Sequence, residues 1–259
     1  MSTHYFTHED FSVLSATTPD MQGVYDKFVE LHKALHRRMR DHNWDLHPNL
    51  DKNGMLVGRS AASSTNIVGL SLPYLRSIEQ AQLVERLMGR DGMDTPAHVD
   101  IHRHPVVELR LTPEHFTAEL VLAPSAWWDQ RNLIGKLSVA RHRETFRNQL
   151  QHMDGDYRFG FWDGIHLSDI HLTNRQLLRG SVLEEWMSTF SDGQDWLRVG
   201  VWYEPEHPSL SAGTILSEIT QRVAALYGLY NFMLWTSNNN FHSFYKGHIP
   251  YGGSKDNRL

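Results

Sequence analysis

Apolar residues recur at intervals of three and four along several stretches of the chain, the spacing of one face of an α-helix. In the first stretch, which predicts a helix over residues 19–41, they are Met21, Val24, Phe28, Leu31, Leu35 and Met39. The same spacing predicts helices over residues 77–88, 125–150 and 215–230, and one that starts at Thr173. Capping boxes begin the helices at Ser77 and Thr173, and Ser125 is the expected cap of the helix over 125–150.

Other segments alternate between apolar and polar residues, the pattern of a β-strand with one covered face. The clearest pair, residues 105–111 and 116–122, flanks a four-residue turn and predicts a β-hairpin. Residues 196–204 alternate in the same way, and shorter strands are predicted at 66–72, 157–162 and 232–236. Strands of a parallel sheet read instead as continuous apolar runs. We therefore predict an α+β fold, with a mostly antiparallel sheet and helices packed against it.

The chain has 259 residues, which is enough for a single α+β domain with a large core. Residues 91–97, with the sequence DGMDTPA, are rich in helix- and strand-breaking types. They mark a possible boundary between a helical part, 1–90, and a sheet-containing part, 98–251. We expect residues 252–259 to form a flexible tail.

Composition narrows the classes of function. Lys and Arg number 25 against 30 Asp and Glu, a formal net charge of −5, which argues against non-specific nucleic-acid binding. The chain has no cysteine, so disulfides, thiolate nucleophiles and cysteine-bound metals are excluded. No apolar run is long enough for a membrane span, and no signal peptide is recognisable, so we expect a cytoplasmic location without membrane contact. The motifs of P-loop NTPases, Rossmann dehydrogenases, α/β-hydrolases and zincin proteases are absent.

Four short phrases stand out in chain order. They are Phe6-Thr-His-Glu-Asp-Phe-Ser-Val13, His104-Pro-Val-Val-Glu-Leu-Arg-Leu111, Leu197-Arg-Val-Gly-Val201 and Leu226-Tyr-Gly-Leu-Tyr230. Together they resemble the YktB-like family of bacterial proteins of unassigned function. The resemblance implies an α+β fold on an antiparallel sheet, but it implies no activity and assigns no catalytic residue.

The chain is rich in histidine, with 17 residues of this type, and the densest group precedes the predicted hairpin. His98, Asp100, His102 and His104 all stand at even positions, so an extended backbone would place them on one face. Glu108 and Arg110 continue the same parity along the first strand of the hairpin.

The turn of the hairpin predicts which residues of its two strands face each other. With Pro113 and Glu114 at the centre of the turn, Arg110 lies opposite Thr117 and Glu108 lies opposite Glu119. Two carboxylates directly opposed on one face repel each other unless something neutralises them.

A metal ion, a shared proton or Arg110 could neutralise them. The candidate ligands of a divalent metal are His102, His104, Glu108 and Glu119, a nitrogen and oxygen set that suits zinc, manganese or iron. The more ordinary interpretation is a solvent-exposed face on which Arg110 pairs with either glutamate, since antiparallel sheets often expose one side.

Two further clusters could bind a ligand. The first is Trp162, Asp163 and His166, and the second is Asn238, Asn239, Asn240 and His242. Both also read as turns, which use Asp, Asn and Gly for local backbone reasons. Trp127 and Trp128, at a predicted helix start, could line a pocket or simply pack in the core.

Three classes of function remain open at this stage. We favour a protein that binds a ligand or a protein partner, because no group of residues stands out as catalytic. The alternatives are a metal-dependent hydrolase or nuclease that uses the histidine-rich hairpin, and a structural subunit of a larger complex, for which the eight tryptophans would suit an interface.

Overall fold

A computed structural model of the chain describes residues 4–15, 21–50, 55–88 and 99–241. The predicted boundary at 91–97, the tail at 252–259, His98 and His242 lie outside these described residues.

Within the described residues, one antiparallel sheet runs through the molecule. Its eight strands are β1 (His47–Pro48), β2 (Leu56–Val57), β3 (Leu70–Leu75), β4 (Val106–Leu111), β5 (Phe116–Leu122), β6 (Arg158–Phe161), β7 (His171–Thr173) and β8 (Leu197–Tyr203). The strand order is β1-β3-β4-β5-β8-β6-β7, and β2 also pairs with β3. Every pairing is antiparallel, as predicted, and β4 and β5 form the predicted hairpin.

The α-helices of the described chain are α1 (His8–Leu14), α2 (Gln22–Asp41), α3 (Ile78–Leu87), α4 (Trp127–Leu137), α5 (Ala140–Gln151), α6 (Asn174–Leu177), α7 (Val182–Ser188) and α8 (Ile215–Met233). The α+β fold class is therefore confirmed. Two of the three predicted helix caps are confirmed: Ser77 accepts a hydrogen bond from the Gln80 amide, and Thr173 forms a capping box with Gln176.

The two faces of the sheet differ in character. Alternate residues of the central strands form one apolar face, which carries the main core. Helix α8 lies against β4, β5 and β8, and α2, α4 and α5 pack on α8. Phe28, Leu109, Leu120, Val199 and Leu226 are all buried there. The other face carries charged side chains and a smaller apolar cluster that includes Ala61, Ala62 and Val106.

Two predicted helices are wrong in extent, and one predicted cap is wrong. The helix over 125–150 is two helices, because Val139 adopts an extended backbone between α4 and α5. Ala126 occupies the N-cap of α4, and the Ser125 hydroxyl donates instead to the His102 carbonyl, 2.7 Å away. The helix that starts at Thr173 ends at Leu177, before Gly180, whose φ is +51°.

The strand predicted at 232–236 is also wrong. Phe232 and Met233 are the last residues of α8, where both are buried in the core. Thr236 forms only an isolated bridge with Asn239. A short apolar run fits a buried helix end as well as a strand, so periodicity alone could not separate them.

Candidate functional site

The charged face of the sheet is built on the β4–β5 hairpin. Its register is the predicted one, with Glu108 opposite Glu119 and Arg110 opposite Thr117. The Arg110 guanidinium lies between the two carboxylates. Its Nη1 is 2.7 Å from Glu108 Oε2, and its Nη2 is 2.9 Å from Glu119 Oε2.

A second arginine reaches the same carboxylate from the neighbouring strand β8. Arg198 Nε is 2.6 Å from Glu119 Oε1 and its Nη2 is 2.7 Å from Oε2, a bidentate pair. Gly200 stands directly opposite Glu119. A Cβ at this glycine would lie 2.7 Å from the Ala118 carbonyl oxygen and 2.9 Å from Glu119 Cγ, so the position has room for no side chain.

We call Glu108, Arg110, Glu119 and Arg198 the charge quartet. All four side chains are 0 % exposed, and their formal charges cancel. The expectation of a solvent-exposed face is therefore wrong here. Arginines from two different strands neutralise the carboxylates, and a loop then seals the group from water.

The sealing loop comprises residues 58–67, which we call the hydroxyl loop because its sequence is GRSAASSTNI. Its ends are joined, since the Ile67 amide donates to the Gly58 carbonyl at 2.9 Å and the Gly58 amide donates to Gly69 at 3.2 Å. Gly58 has a φ of +70° and Gly69 a φ of +152°, where side chains are strained. A Cβ at Gly69 would also lie 2.3 Å from the Leu111 carbonyl oxygen.

Hydrogen bonds join the hydroxyl loop to the charge quartet, which lies below it on the sheet. The Ser60 hydroxyl donates to Glu108 Oε2 at 2.7 Å, and the Ala61 amide donates to Oε1 at 2.8 Å. Arg198 Nη1 donates to the Ala62 carbonyl at 3.1 Å. Hydrogen bonds to charged groups are stronger than those between neutral groups, so the loop backbone is held in one conformation.

His102 holds the same loop from the side. It lies in a single 3-10 turn, Ile101–Arg103, so the expectation of an extended backbone here is wrong: the Asp100 carboxylate accepts from the His102 amide and caps the turn. His102 Nε2 is 3.1 Å from both the Ser60 and Ser63 carbonyl oxygens.

Burial opposes protonation of His102, but Asp100 and the carbonyls of Ser60 and Ser63 outweigh it and raise the pKa of His102. Hydrogen bonding to His102 lowers the pKa of Asp100 to about 2.

His104 points elsewhere. Its Nε2 is 3.2 Å from Glu85 Oε1 on α3, and the side chain is buried. The structure thus brings Glu108 and Glu119 together around Arg110 and gives both histidines other partners. Among the described residues, no three histidine or acidic side chains are grouped as ligands of a metal would be. Binding of zinc or manganese stays a prediction.

Beside the hydroxyl loop lies a cavity of about 690 Å³, which we call the polar cleft. The hydroxyl loop supplies it with the side chains of Ser63, Ser64 and Thr65. Aliphatic side chains such as Leu56 and Ile101 line another part. Arg59, Asn49 and Asn66 also line it, and their side chains form no hydrogen bond or ion pair with another described residue.

Trp162 and Asp163, predicted as ligand-binding residues, lie against the same loop. Asp163 accepts from the Ser64 amide at 3.0 Å and also from the Ser64 hydroxyl. The Arg198 guanidinium stacks on the Trp162 ring, 4.9 Å from its centre. In the described structure, both residues anchor the loop and the charge quartet.

A second cavity, of about 570 Å³, lies where the hydroxyl loop meets the β4–β5 turn, and Ser63, Thr65 and Asn66 line both cavities. His166 belongs to this second cavity, and its Nδ1 is 2.9 Å from Glu114 Oε2 in an exposed pair. The hydroxyl loop is therefore a wall common to two cavities.

The asparagine cluster lies away from the polar cleft, just past the end of α8. Asn239 donates to the Asn231 and Leu234 carbonyls at 2.8 and 2.7 Å. Its side-chain oxygen accepts from Lys136. Asn240 donates to the Ser237 carbonyl at 2.8 Å, and Asn238 is exposed. These contacts satisfy carbonyls at the helix C-terminus, so Asn239 and Asn240 act in the turn itself.

Sequence reasoning missed the hydroxyl loop and Arg59. The signal that could have found them is a run of small hydroxyl residues bracketed by Gly58 and Gly69, shortly before a strand. It also missed Arg198, because the alternation of β8 marks it as a polar position without showing which strand lies beside it.

Comparison of the chain with protein-family models gives no match, and neither does comparison with curated proteins. The resemblance to the YktB-like family therefore stays a prediction. Within the described residues, no helix combines the length and the apolar character needed to cross a membrane.

Proposed function

We propose that this protein binds a small polar molecule in the polar cleft and that Arg59 pairs with an anionic group of that molecule. The observation that carries the proposal is the fastening of the hydroxyl loop, the wall of the cleft, to a fully buried charge quartet.

The size of the cleft supports this proposal. Its volume of about 690 Å³ lies within the range of roughly 300–1,000 Å³ that small-molecule sites occupy. Its lining combines hydroxyls, two amides and a guanidinium with aliphatic side chains. Such a mixture suits a ligand that has several hydrogen-bonding groups on a compact carbon frame.

The charges around the cleft favour an anion. Asp100 is already engaged, because it contacts His102 and its Oδ2 lies 3.4 Å from Arg103 Nε. Arg59 is exposed and has no acidic partner among the described residues. A ligand carboxylate or phosphate would supply that partner, and a guanidinium binds such groups through two parallel hydrogen bonds.

The charge quartet supports the proposal through rigidity rather than stability. Ion pairs taken out of water are weak evidence for stability, because desolvation offsets much of their attraction. They do fix geometry. A loop that is already held in its binding conformation loses less entropy when a ligand arrives, which raises affinity.

The test uses inorganic phosphate, AMP, glucose 6-phosphate and citrate as probes, first by thermal unfolding and then by calorimetry. At a concentration about 100-fold above its Kd, a bound probe stabilises the fold by about 2.7 kcal/mol, which raises the Tm of a chain this size by about 5–10 °C. Arg59→Ala should weaken that probe about tenfold or more. Arg141→Ala, an exposed arginine on α5, is the matched control and should bind like wild type.

Two results contradict the proposal. One is the absence of binding by all four anionic probes. The other is a probe that binds Arg59→Ala as tightly as wild type.

A further inference from the structure

A third cavity lies at the start of α4, remote in sequence from the hydroxyl loop. Trp127, Trp128, Trp235 and Phe241 line a cavity of about 290 Å³ there, together with Arg131. We call it the aromatic pocket. It joins two segments that the sequence separates by more than a hundred residues, and it differs from the polar cleft in having a mainly aromatic lining.

The indole rings form walls instead of a stack. The Trp127 and Trp128 rings are 5.5 Å apart at 81°, and the Trp128 and Trp235 rings are 4.4 Å apart at 69°. All three tryptophans are only partly buried. Each ring therefore leaves apolar surface in contact with solvent at the same place, which is the usual mark of a binding surface.

Buried polar contacts hold the walls in position. The Trp235 amide donates to Asp129 Oδ1 at 2.6 Å, and the Trp235 carbonyl accepts from Arg76 Nη1 at 3.0 Å. Arg76 and Asp129 form a buried ion pair at 2.7 Å, with side chains 1 % and 0 % exposed. On the other wall, the Phe241 amide donates to Asn132 Oδ1 at 2.9 Å. The aromatic pocket is thus preformed.

The charge of the lining selects the ligand class. Arg131 is the charged side chain among the described lining residues, and its guanidinium lies 5.0 Å from the centre of the Trp127 ring. Its Nε pairs with Asp192 at 3.2 Å, but both side chains are well exposed, so this pair is weak.

We propose that the aromatic pocket binds a flat aromatic ring that carries a carboxylate or another anionic substituent. The ring lies between the indole walls, which supply apolar area and edge-to-face contacts. The anionic group faces Arg131, which the stacked ring of Trp127 already holds in place. A ligand cation of the same shape meets the positive charge of Arg131 and is disfavoured.

The test uses three probes with one ring and three charges: indole-3-acetate, indole-3-acetamide and tryptamine. Calorimetry on the full chain should rank the acid first, the amide second and the amine last. The acid should bind about fivefold more tightly than the amide. This ratio is near the upper end of what a partly exposed ion pair contributes to affinity. Arg131→Gln should make the acid and the amide equal, and this exposed position leaves folding intact.

Three further variants locate the site. Trp128→Ala should abolish binding of all three probes, whereas Trp44→Ala, a partly buried tryptophan elsewhere, should leave binding unchanged. Arg59→Ala should also leave binding of indole-3-acetate unchanged, which separates this site from the polar cleft.

The proposal is overturned if none of the probes binds at millimolar concentration, or if the amide or the amine binds as well as the acid. It is also overturned if Arg131→Gln keeps the preference for the acid, or if Arg59→Ala removes binding of the acid.

Discussion

Replacing Glu119 by glutamine changes one charge of the quartet and almost nothing of its shape. Glu119 accepts three hydrogen bonds, two from Arg198 and one from Arg110. A glutamine in this place keeps one acceptor oxygen, and its amide group points two further donors at guanidinium donors. The quartet would then hold two cations against the single carboxylate of Glu108, with no water to disperse the excess charge.

The expected loss of folding stability follows from this uncompensated charge. Removing one partner of a fully buried ion pair destabilises a protein by about 3–5 kcal/mol, since an uncompensated charge is left behind. All four quartet side chains are 0 % exposed, so solvent screening gives no relief. The loss is a large share of a total stability that is typically about 5–15 kcal/mol.

Urea unfolding followed by circular dichroism measures the effect. With an m value of about 3 kcal/mol/M, the midpoint of Glu119→Gln should fall by about 1–1.7 M. Glu114→Gln, an exposed glutamate in the β4–β5 turn, is the control and should stay within about 0.5 kcal/mol of wild type.

A double variant tests the reasoning more sharply. Glu119→Gln with Arg198→Met leaves one cation and one anion, Arg110 and Glu108, and should cost at least about 1 kcal/mol less than the two single losses added together. Strict additivity, or a single-variant loss below about 1 kcal/mol, would refute the idea that buried charge balance governs this region.

Three more perturbations have definite expected outcomes. Gly200→Ala should cost about 1–3 kcal/mol in urea unfolding, because its Cβ meets backbone at 2.7 Å, whereas Gly213→Ala, with nothing within 4 Å, should be near neutral. Burial lowers the pKa of His32 to about 4, below its unfolded value near 6.5, so the unfolded chain binds more protons between these pH values. Stability should therefore fall as pH drops from 6.5 towards 4, and a Tm–pH profile of His32→Gln that matches wild type would contradict this assignment. Asn239→Ala should cost about 1–3 kcal/mol in thermal unfolding, since it strips hydrogen bonds from the end of α8, while exposed Asn238→Ala should change little.

The register of the hairpin was predictable to the residue because its determinants are local. A turn centred on Pro113 and Glu114 fixes which side chains oppose each other, and the structure confirms Glu108 opposite Glu119. Two arginines neutralise these carboxylates, and the sequence predicted only one of them, Arg110. Arg198 lies 79 positions after Glu119 in the sequence, and no short-range pattern predicts which strand pairs with β5.

The candidate site escaped sequence analysis for a related reason. The hydroxyl loop has no period, and its conformation depends on buried groups that lie on other strands, such as Glu108. The backbone at His102 departed from the extended prediction because the Asp100 side chain offers a competing hydrogen bond to the chain just after it. Assigning even positions to one face assumes an extended backbone, so it cannot detect a side chain that competes for a backbone hydrogen bond.

Gly200 has a consequence for how the strands find their alignment. If β8 slides by two residues along β5, the apolar side chains of β8 stay on the core face, so hydrophobic contact alone scarcely distinguishes the shifted pairing from the native one. The slide does, however, bring Arg198 or Trp202 opposite Glu119. At that place even a Cβ would lie 2.7 Å from the Ala118 carbonyl oxygen. Gly200, the one residue of β8 without a side chain, therefore favours the native alignment, because either shifted pairing puts a side chain where even a Cβ lies too close to the backbone of β5.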